Sequence, residues 1–354
     1  MDMPRAQNSA PSPARVLVKE VNWLGDLVIS LPALRAVRRR FPEAHLAVLV
    51  NDGLSGFFDG FDWIDEVIPY RLPSGLRKFA AQREIIAAIR ARRFDLAVLF
   101  PNSFSSALWM ALARVPGRAG YATDARGLLL TKRARPDSRA IESHQVQYWL
   151  SMVEQTIEAQ GDAADCVLIP AARNLARMRA MLADHRKNPA SRLIAIAPAA
   201  AYGPAKEWPA DRYARLIELL TARNDVECIL IGAPAERQRC ELIAGMSHGN
   251  AVVTAGETGI GDLIAILSLC DGFVGNDSGA MHLAGAVGIP TVAIFGSTNP
   301  SRTGPLGPRV EVIHRPPPCS PCLRRTCRFD HYECLTRIEP QAAADALRGL
   351  GAIA

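Results

Sequence analysis

Long apolar runs are missing from this chain. No uninterrupted stretch approaches the ~18 residues that cross a bilayer as a helix, and the longest, 283–296, is broken by Pro290. That excludes a spanning helix. The segment 1–14 is rich in Pro, Ser, Ala and Asn and lacks the apolar centre of a secretory signal. It reads as a disordered lead-in to a cytoplasmic protein. Aromatic residues are scarce at 6%, and the basic clusters at 38–40, 90–93, 132–135 and 324–325 carry no aromatic platform. A single-stranded nucleic-acid binder needs such a platform for base stacking. Acidic residues are in deficit: 41 Lys and Arg outnumber 35 Asp and Glu, leaving a net charge of +6. An excess of that sign favours an anionic partner such as a nucleotide or an anionic lipid.

What is present is an alternating pattern long enough for two domains, since 354 residues exceed what one ordinary core supports. An apolar strand at 16–18 leads through the turn 22–26 to a helix ending near Phe41, then to a strand at 46–50. Strands at 66–68 and 95–100 bracket a helix at 79–92, and 107–114 and 144–159 are helical. A Pro/Ala stretch at 166–173 reads as a linker, after which the pattern restarts. Strands at 193–197, 226–231, 252–253, 272–275 and 291–295 alternate with helices at 211–222, 236–245, 260–270 and 278–287. Repeated strand–helix alternation predicts an α/β fold of two Rossmann-like, doubly wound domains facing across a cleft. The expected divisions are a lead-in at 1–14, a first domain at 15–168, a second at 169–338, and a terminal segment at 339–354.

Three segments follow strands, where open α/β sheets bind ligands. After the first, Gly25 permits a tight turn and Asp26 projects from a loop, with Ser30 competing to cap the following helix because Pro32 suits a first turn. The second, Tyr202 to Pro209, uses a Gly203-Pro204 turn to deliver Lys206, a mobile point charge suited to phosphate. In the third, Gly275 to His282, a strand ends and a helix begins within three residues. Ser278 and Gly279 leave helix N-terminal amides bare for a diphosphate, and His282 follows one turn later on the same face. Asp277 either caps that helix or faces the ligand. Glu236, past another strand end, is placed to accept ribose hydroxyls.

Cys319, Cys322, Cys327 and Cys334 form a C-x2-C-x4-C-x6-C cluster. Four such thiols can hold a structural metal ion or simply stay reduced, and both readings remain open. Cys166, Cys228, Cys240 and Cys270 lie among apolar residues and read as core.

Trp23-Leu24-Gly25-Asp26 followed by Pro32-Ala33-Leu34, then Tyr202 to Pro209, Gly275 to His282, and Cys319-Ser320-Pro321-Cys322 occur in an order that resembles glycosyltransferase family 9, the bacterial lipopolysaccharide heptosyltransferases, and within it the heptosyltransferase II group. The resemblance covers nearly the whole chain. It implies a GT-B fold, inversion at the anomeric carbon, and chemistry without metal or cofactor. The donor it implies is ADP-L-glycero-β-D-manno-heptose, and the acceptor the anionic, heptosylated Kdo–lipid A core on the inner-membrane surface. By motif, Asp26 becomes the catalytic base. Lys206, Ser278, Gly279 and His282 hold the diphosphate, Glu236 the ribose, and Asp277 the donor sugar or local geometry. It also implies a last helix within 339–354 that crosses back to the first domain. Where the family often reads Pro-Gly-Ala-Glu, this chain has Pro198-Ala199-Ala200-Ala201, which leaves another nucleotide sugar or another glycan acceptor as an alternative. A non-catalytic nucleotide-binding module is the alternative of a different class.

Overall fold

The structure is a computed structural model and describes residues 12–222 and 225–354. Most of the expected lead-in, 1–11, lies outside the described residues. At its end, the Ala14 N–H donates to the Asp95 carboxylate at 2.9 Å.

Runs such as Arg192-Leu-Ile-Ala-Ile-Ala197, buried after the first residue, can only be covered on both faces, and they assemble parallel sheets. Sheet one comprises β1 (Arg15–Lys19), β2 (His45–Asn51), β3 (Glu66–Tyr70), β4 (Leu96–Leu99), β5 (Gly117–Tyr121) and β6 (Lys132–Ala134), in the order β3-β2-β1-β4-β5-β6. Sheet two comprises β7 (Arg192–Ala197), β8 (Val226–Leu230), β9 (Ala251–Val253), β10 (Gly272–Asn276), β11 (Thr291–Phe295) and β12 (Val310–His314), in the order β12-β11-β10-β7-β8-β9. All the pairings are parallel, and both sheets follow the same doubly wound order.

Helices α1 (Leu24–Arg40), α2 (Arg77–Ala91), α3 (Phe104–Leu112), α4 (Ser138–Glu142) and α5 (Val146–Ile157) belong to the first domain. Helices α6 (Ala172–His185), α7 (Ala210–Thr221), α8 (Arg237–Met246), α9 (Ile260–Leu269), α10 (Gly279–Val287), α11 (Pro300–Thr303), α12 (Glu333–Thr336) and α13 (Pro340–Gly349) belong to the second. α1 and α5 pack together on one face of sheet one, while α2 and α3 cover the other through Ile85, Ile89, Trp109 and Met110. The two domains meet where α1 packs on α10, and where the 3-10 turn Asp52–Phe58 packs on α9.

Three expectations need correction. The terminal helix α13 does not cross to the first domain. It packs on α7 and on β10, β11 and β12, burying Ala343, Ala344, Ala346 and Leu347 in the core of the second. Helix α1 starts at Leu24, so Asp26 stands in its first turn and not in a loop. The expected cap, Ser30, is buried mid-helix, where its hydroxyl donates to the Leu27 carbonyl. Burial of Leu27, Val28 and Leu31 against the sheet outweighs the local signal of Ser30 and Pro32. Finally, β5, β6 and β12 extend sheets for which no strand was expected at those positions; Gly117-Arg-Ala-Gly-Tyr121 and Lys132-Arg-Ala134 lack an apolar run.

Candidate functional site

A cavity of about 710 Å³ opens between the domains at the C-terminal ends of both sheets. The first domain contributes Trp23, Gly25, Asp26 and Ile29 from the start of α1. The second contributes Lys206 after β7, Asp277, Ser278, Gly279 and His282 at the start of α10, and Thr298 and Arg302 after β11. The expected residues Asp26, Lys206, Asp277, Ser278, Gly279 and His282 are therefore brought to one place. Glu236 lines an adjoining cavity of about 410 Å³ together with Ala199, Ala201, Gly232, Ser278 and Gly279. Its carboxylate accepts from the Ala233 N–H at 2.7 Å.

Two glycines set the width of the cleft. A Cβ on Gly25 would lie 2.9 Å from the His282 ring, and one on Gly279 would lie 2.8 Å from Leu24 Cβ. Only bare backbone lets the starts of α1 and α10 approach this closely.

Asp26 is partly buried, and its Oδ1 accepts from Gln145 Nε2 at 3.3 Å. Burial raises its pKa above the usual carboxylate value, while the Gln145 hydrogen bond and the Lys206 charge pull it down. Gln145 is held across the domain boundary, where its N–H donates to the Arg302 carbonyl at 2.8 Å. Arg302 donates in return to the Ser143 carbonyl. His144 binds the Gly304 carbonyl through Nε2 at 2.9 Å while its Nδ1 accepts from the Val146 N–H, which fixes the neutral tautomer. The sequence carried no signal for this 143–145 contact, because its partners lie about 160 residues away.

On the opposite wall, Asn276 organises the Lys206 loop. Its side chain donates to the Pro198 carbonyl and accepts from the Trp208 N–H and the Tyr213 hydroxyl. Lys206 then reaches Asp277 Oδ2 at 2.6 Å and lies 4.8 Å from the Tyr202 ring centre. Asp277 also accepts from the Thr298 hydroxyl at 2.5 Å. Asp277 is thus no helix cap; Ser278 occupies that position with extended backbone and makes no side-chain capping bond. The α10 amides are left to face the cavity. Ser278 Oγ and His282 Nδ1 are buried without hydrogen-bond partners among the described residues. Burial first, then the nearby His144 and Lys206, push the His282 pKa down to about 4 against the opposing pull of Asp277, so the ring is neutral.

Behind the Asn22–Asp26 turn, Lys19 and Glu20 are both buried, which the sequence did not announce, and Lys19 Nζ donates to the Glu20 backbone carbonyl. Lys19 Nζ sits 4.7 Å from the Tyr70 ring centre, the Tyr70 hydroxyl donates to Asn22 at 2.7 Å, and Ser30 donates to Glu20 at 3.3 Å. Burial lowers the Lys19 pKa and raises that of Glu20. A further cavity of about 530 Å³, lined by Asn22, Trp23, Asp26, Asn102, Ser103, Gln145 and Tyr148, adjoins Asp26 on the first-domain side.

The segment that carries the cysteine cluster borders the same cavity: Pro321, Leu323 and Arg325 line it, and the Leu323 carbonyl accepts from the Tyr202 hydroxyl at 2.6 Å. All eight thiols are free, and no group of three or more His, Cys, Asp or Glu among the described residues is arranged to hold a metal ion. Burial lifts the Cys334 pKa to about 11, helped by the other three thiols of the cluster. Cys166, Cys228, Cys240 and Cys270 are buried core residues.

Residues 82–333 match the family described as Glycosyltransferase family 9 (heptosyltransferase). Lipopolysaccharide heptosyltransferase 2 of Salmonella typhimurium is 27% identical over 353 residues, covering 95% of this chain and 98% of the relative. The solved structure titled ADP-heptose lps heptosyltransferase II, from Escherichia coli, aligns with a TM-score of 0.79 at 24% identity, covering 95% of this chain and 98% of that one. A glycosyl transferase family 9 structure from Veillonella parvula aligns with a TM-score of 0.85 at 20% identity, covering 95% and 97%. These likenesses match the two-sheet architecture and its GT-B arrangement. With a family match over more than half its length, the chain is a glycosyltransferase and belongs to glycosyltransferase family 9, the heptosyltransferases.

Proposed function

We propose that this enzyme moves a heptose from ADP-L-glycero-β-D-manno-heptose onto the heptosylated Kdo–lipid A core, with inversion, at the cytoplasmic surface of the inner membrane. The observation that carries the reading is the opposition of Asp26 to the Lys206, Ser278–Gly279 and His282 wall across one 710 Å³ cavity. Relatives along nearly the full length of the chain are named lipopolysaccharide heptosyltransferases, which supports the choice of sugar and acceptor. No helix among the described residues is long and apolar enough to cross a membrane.

An inverting transfer is an in-line displacement. The acceptor hydroxyl attacks the anomeric carbon from the first-domain side as the bond to the ADP oxygen breaks on the other. Asp26 receives the hydroxyl proton; a carboxylate whose pKa is raised by burial is a stronger base than a solvated one. Negative charge grows on the departing diphosphate. The Lys206 ammonium and the bare amides at the start of α10 are fixed dipoles and charge aimed at that growth. Neutral His282 donates to the same oxygens with no desolvation of a cation. Asp277 holds Lys206 in place and, with Thr298, borders the sugar. The 410 Å³ cavity beside Glu236 receives the adenosine, and the 530 Å³ cavity beside Gln145 receives the acceptor sugar.

The test is turnover by purified enzyme with ADP-, GDP- and UDP-linked sugars and a core-lipid acceptor. The reading expects transfer from ADP-heptose alone at a useful rate. Equal transfer from a GDP or UDP sugar would overturn the donor assignment, and binding without transfer would point to the non-catalytic module.

A further inference from the structure

In a parallel sheet, each helix that follows a strand starts at the edge where the strands end, the edge that carries the ligand crevice. α2 and α3 lie side by side on the face of sheet one opposite to α1. Arg90 near the end of α2 donates to the carbonyl of Leu112, the last residue of α3. Their C-terminal ends therefore meet and both helices start toward the cleft edge, the 15-residue α2 reaching about 9 Å further than the 9-residue α3.

That end is apolar and open. Residues 73–80 are exposed throughout; Leu76 is 86% and Phe79 is 66% exposed. Phe104, the first residue of α3, is 47% exposed, and Leu128, in the 3-10 turn beside α3, is 88% exposed. A single exposed Leu is ordinary, but large apolar residues gathered on adjoining elements mark an interaction surface. The charge on the first turn of α2 is of one sign. Arg77 and Lys78 stand in the first turn of α2, which has no acidic residue and no side-chain cap. Neither cation has an ion-pair partner among the described residues. Cations at a helix N-terminus work against the macrodipole, so the arrangement costs stability unless an external anion completes it. Asn102 and Ser103, which immediately precede Phe104, line the 530 Å³ cavity next to Asp26.

We propose that the α2–α3 end of the first domain is the surface on which the enzyme docks to an anionic lipid bilayer, Leu76 and Phe79 entering the interface and Arg77 and Lys78 meeting phosphate headgroups. Docked this way, the 530 Å³ cavity opens beside the lipid, where a membrane-borne acceptor presents its sugar. The inference rests on the proposal that the acceptor is membrane-borne, and it names the part of the protein that reads the membrane.

The experiment is co-sedimentation of the full-length chain with vesicles of phosphatidylcholine alone, or mixed equally with phosphatidylglycerol. The wild type is expected to bind the mixed vesicles more tightly than the neutral ones. Leu76→Asp/Phe79→Asp should weaken binding to both by at least about a hundredfold, the loss expected for withdrawing two large side chains. Arg77→Glu/Lys78→Glu should weaken binding to the mixed vesicles by at least about thirtyfold, the loss for two removed cations before the repulsion of the added carboxylates, and leave the neutral ones unchanged. All four residues are exposed, so the variants should stay folded, Arg77→Glu/Lys78→Glu melting no lower than the wild type because it relieves the helix dipole, and transfer to a delipidated acceptor should match the wild type. Variants that bind vesicles as the wild type does would overturn this surface while leaving a membrane-borne acceptor intact. A wild type that binds neither vesicle would overturn both. Variants that turn a dimer into a monomer without changing vesicle binding would assign the patch to a second copy of the chain and overturn the proposal.

Discussion

Replacing Gly279 with Ala perturbs the cleft at its narrowest point. Gly279 opens α10, and its backbone is not in the left-handed region, so Ala adopts the same conformation without strain. The obstacle is Leu24: the new methyl would stand 2.8 Å from its Cβ and 2.9 Å from its Cγ and Cδ2. Carbon atoms rest about 3.5–4.0 Å apart, so the starts of α1 and α10 must separate by roughly 1 Å. These two helix starts carry Asp26 on one side and the Ser278 amides on the other. A misplacement of about 1 Å between reacting groups costs on the order of 100-fold in rate. Overpacking costs about 1–3 kcal/mol, and the higher helix propensity of Ala returns up to about 1 kcal/mol. Folding should therefore survive while transfer collapses. Steady-state kcat/KM and a thermal melt on the same preparation measure both. Adding Leu24→Ala removes two of the three obstructing atoms and should recover part of the rate. A Gly279→Ala enzyme with wild-type kcat/KM would refute the argument that backbone contact sets the site.

Three other outcomes follow from the same geometry. Gln145→Leu removes a hydrogen bond that favours ionised Asp26, so the pKa of the base rises and the acid limb of the kcat/KM profile moves to higher pH; an unmoved limb would detach Gln145 from Asp26. His282 is buried neutral with a pKa near 4, below its ordinary 6.5, so the unfolded state takes up more protons between those values. Stability should fall by about 3 kcal/mol as pH drops from 6.5 to 4, and His282→Gln should flatten that part of a denaturant-derived stability profile. Deleting 340–354 strips α13 from α7 and sheet two, so the second domain should lose its cooperative melt while ring contacts in the first persist; a truncated chain that melts as the full chain does would contradict the packing found for α13.

How much of this could be read in advance depends on where each signal resides. Central strands such as β1, β7 and β10 were legible because burial on both faces demands continuous apolar runs. The short strands β5 and β6 were not, since their stability comes from neighbours and their own residues include Gly, Arg and Lys. The start of α1 was misplaced because Ser30 and Pro32 imitate a helix start that core burial overrides. The motif residues at 25–26, 206 and 277–282 converge in the structure because each follows a strand, and doubly wound topology sends all such turns to one edge. Gln145, between α4 and α5, follows no strand rule, and nothing local pairs it with Arg302. They meet only when the two domains close on each other, and that contact has no local sequence signature.

Kinetics of Asp26→Asn set beside calorimetric binding of ADP test the central claim most directly. Asn keeps the size and the Gln145 contact but cannot accept the proton, so kcat should fall by about 100- to 10,000-fold while ADP binds with wild-type affinity. Turnover that survives the substitution would remove Asp26 from the reaction and with it the account of the cleft.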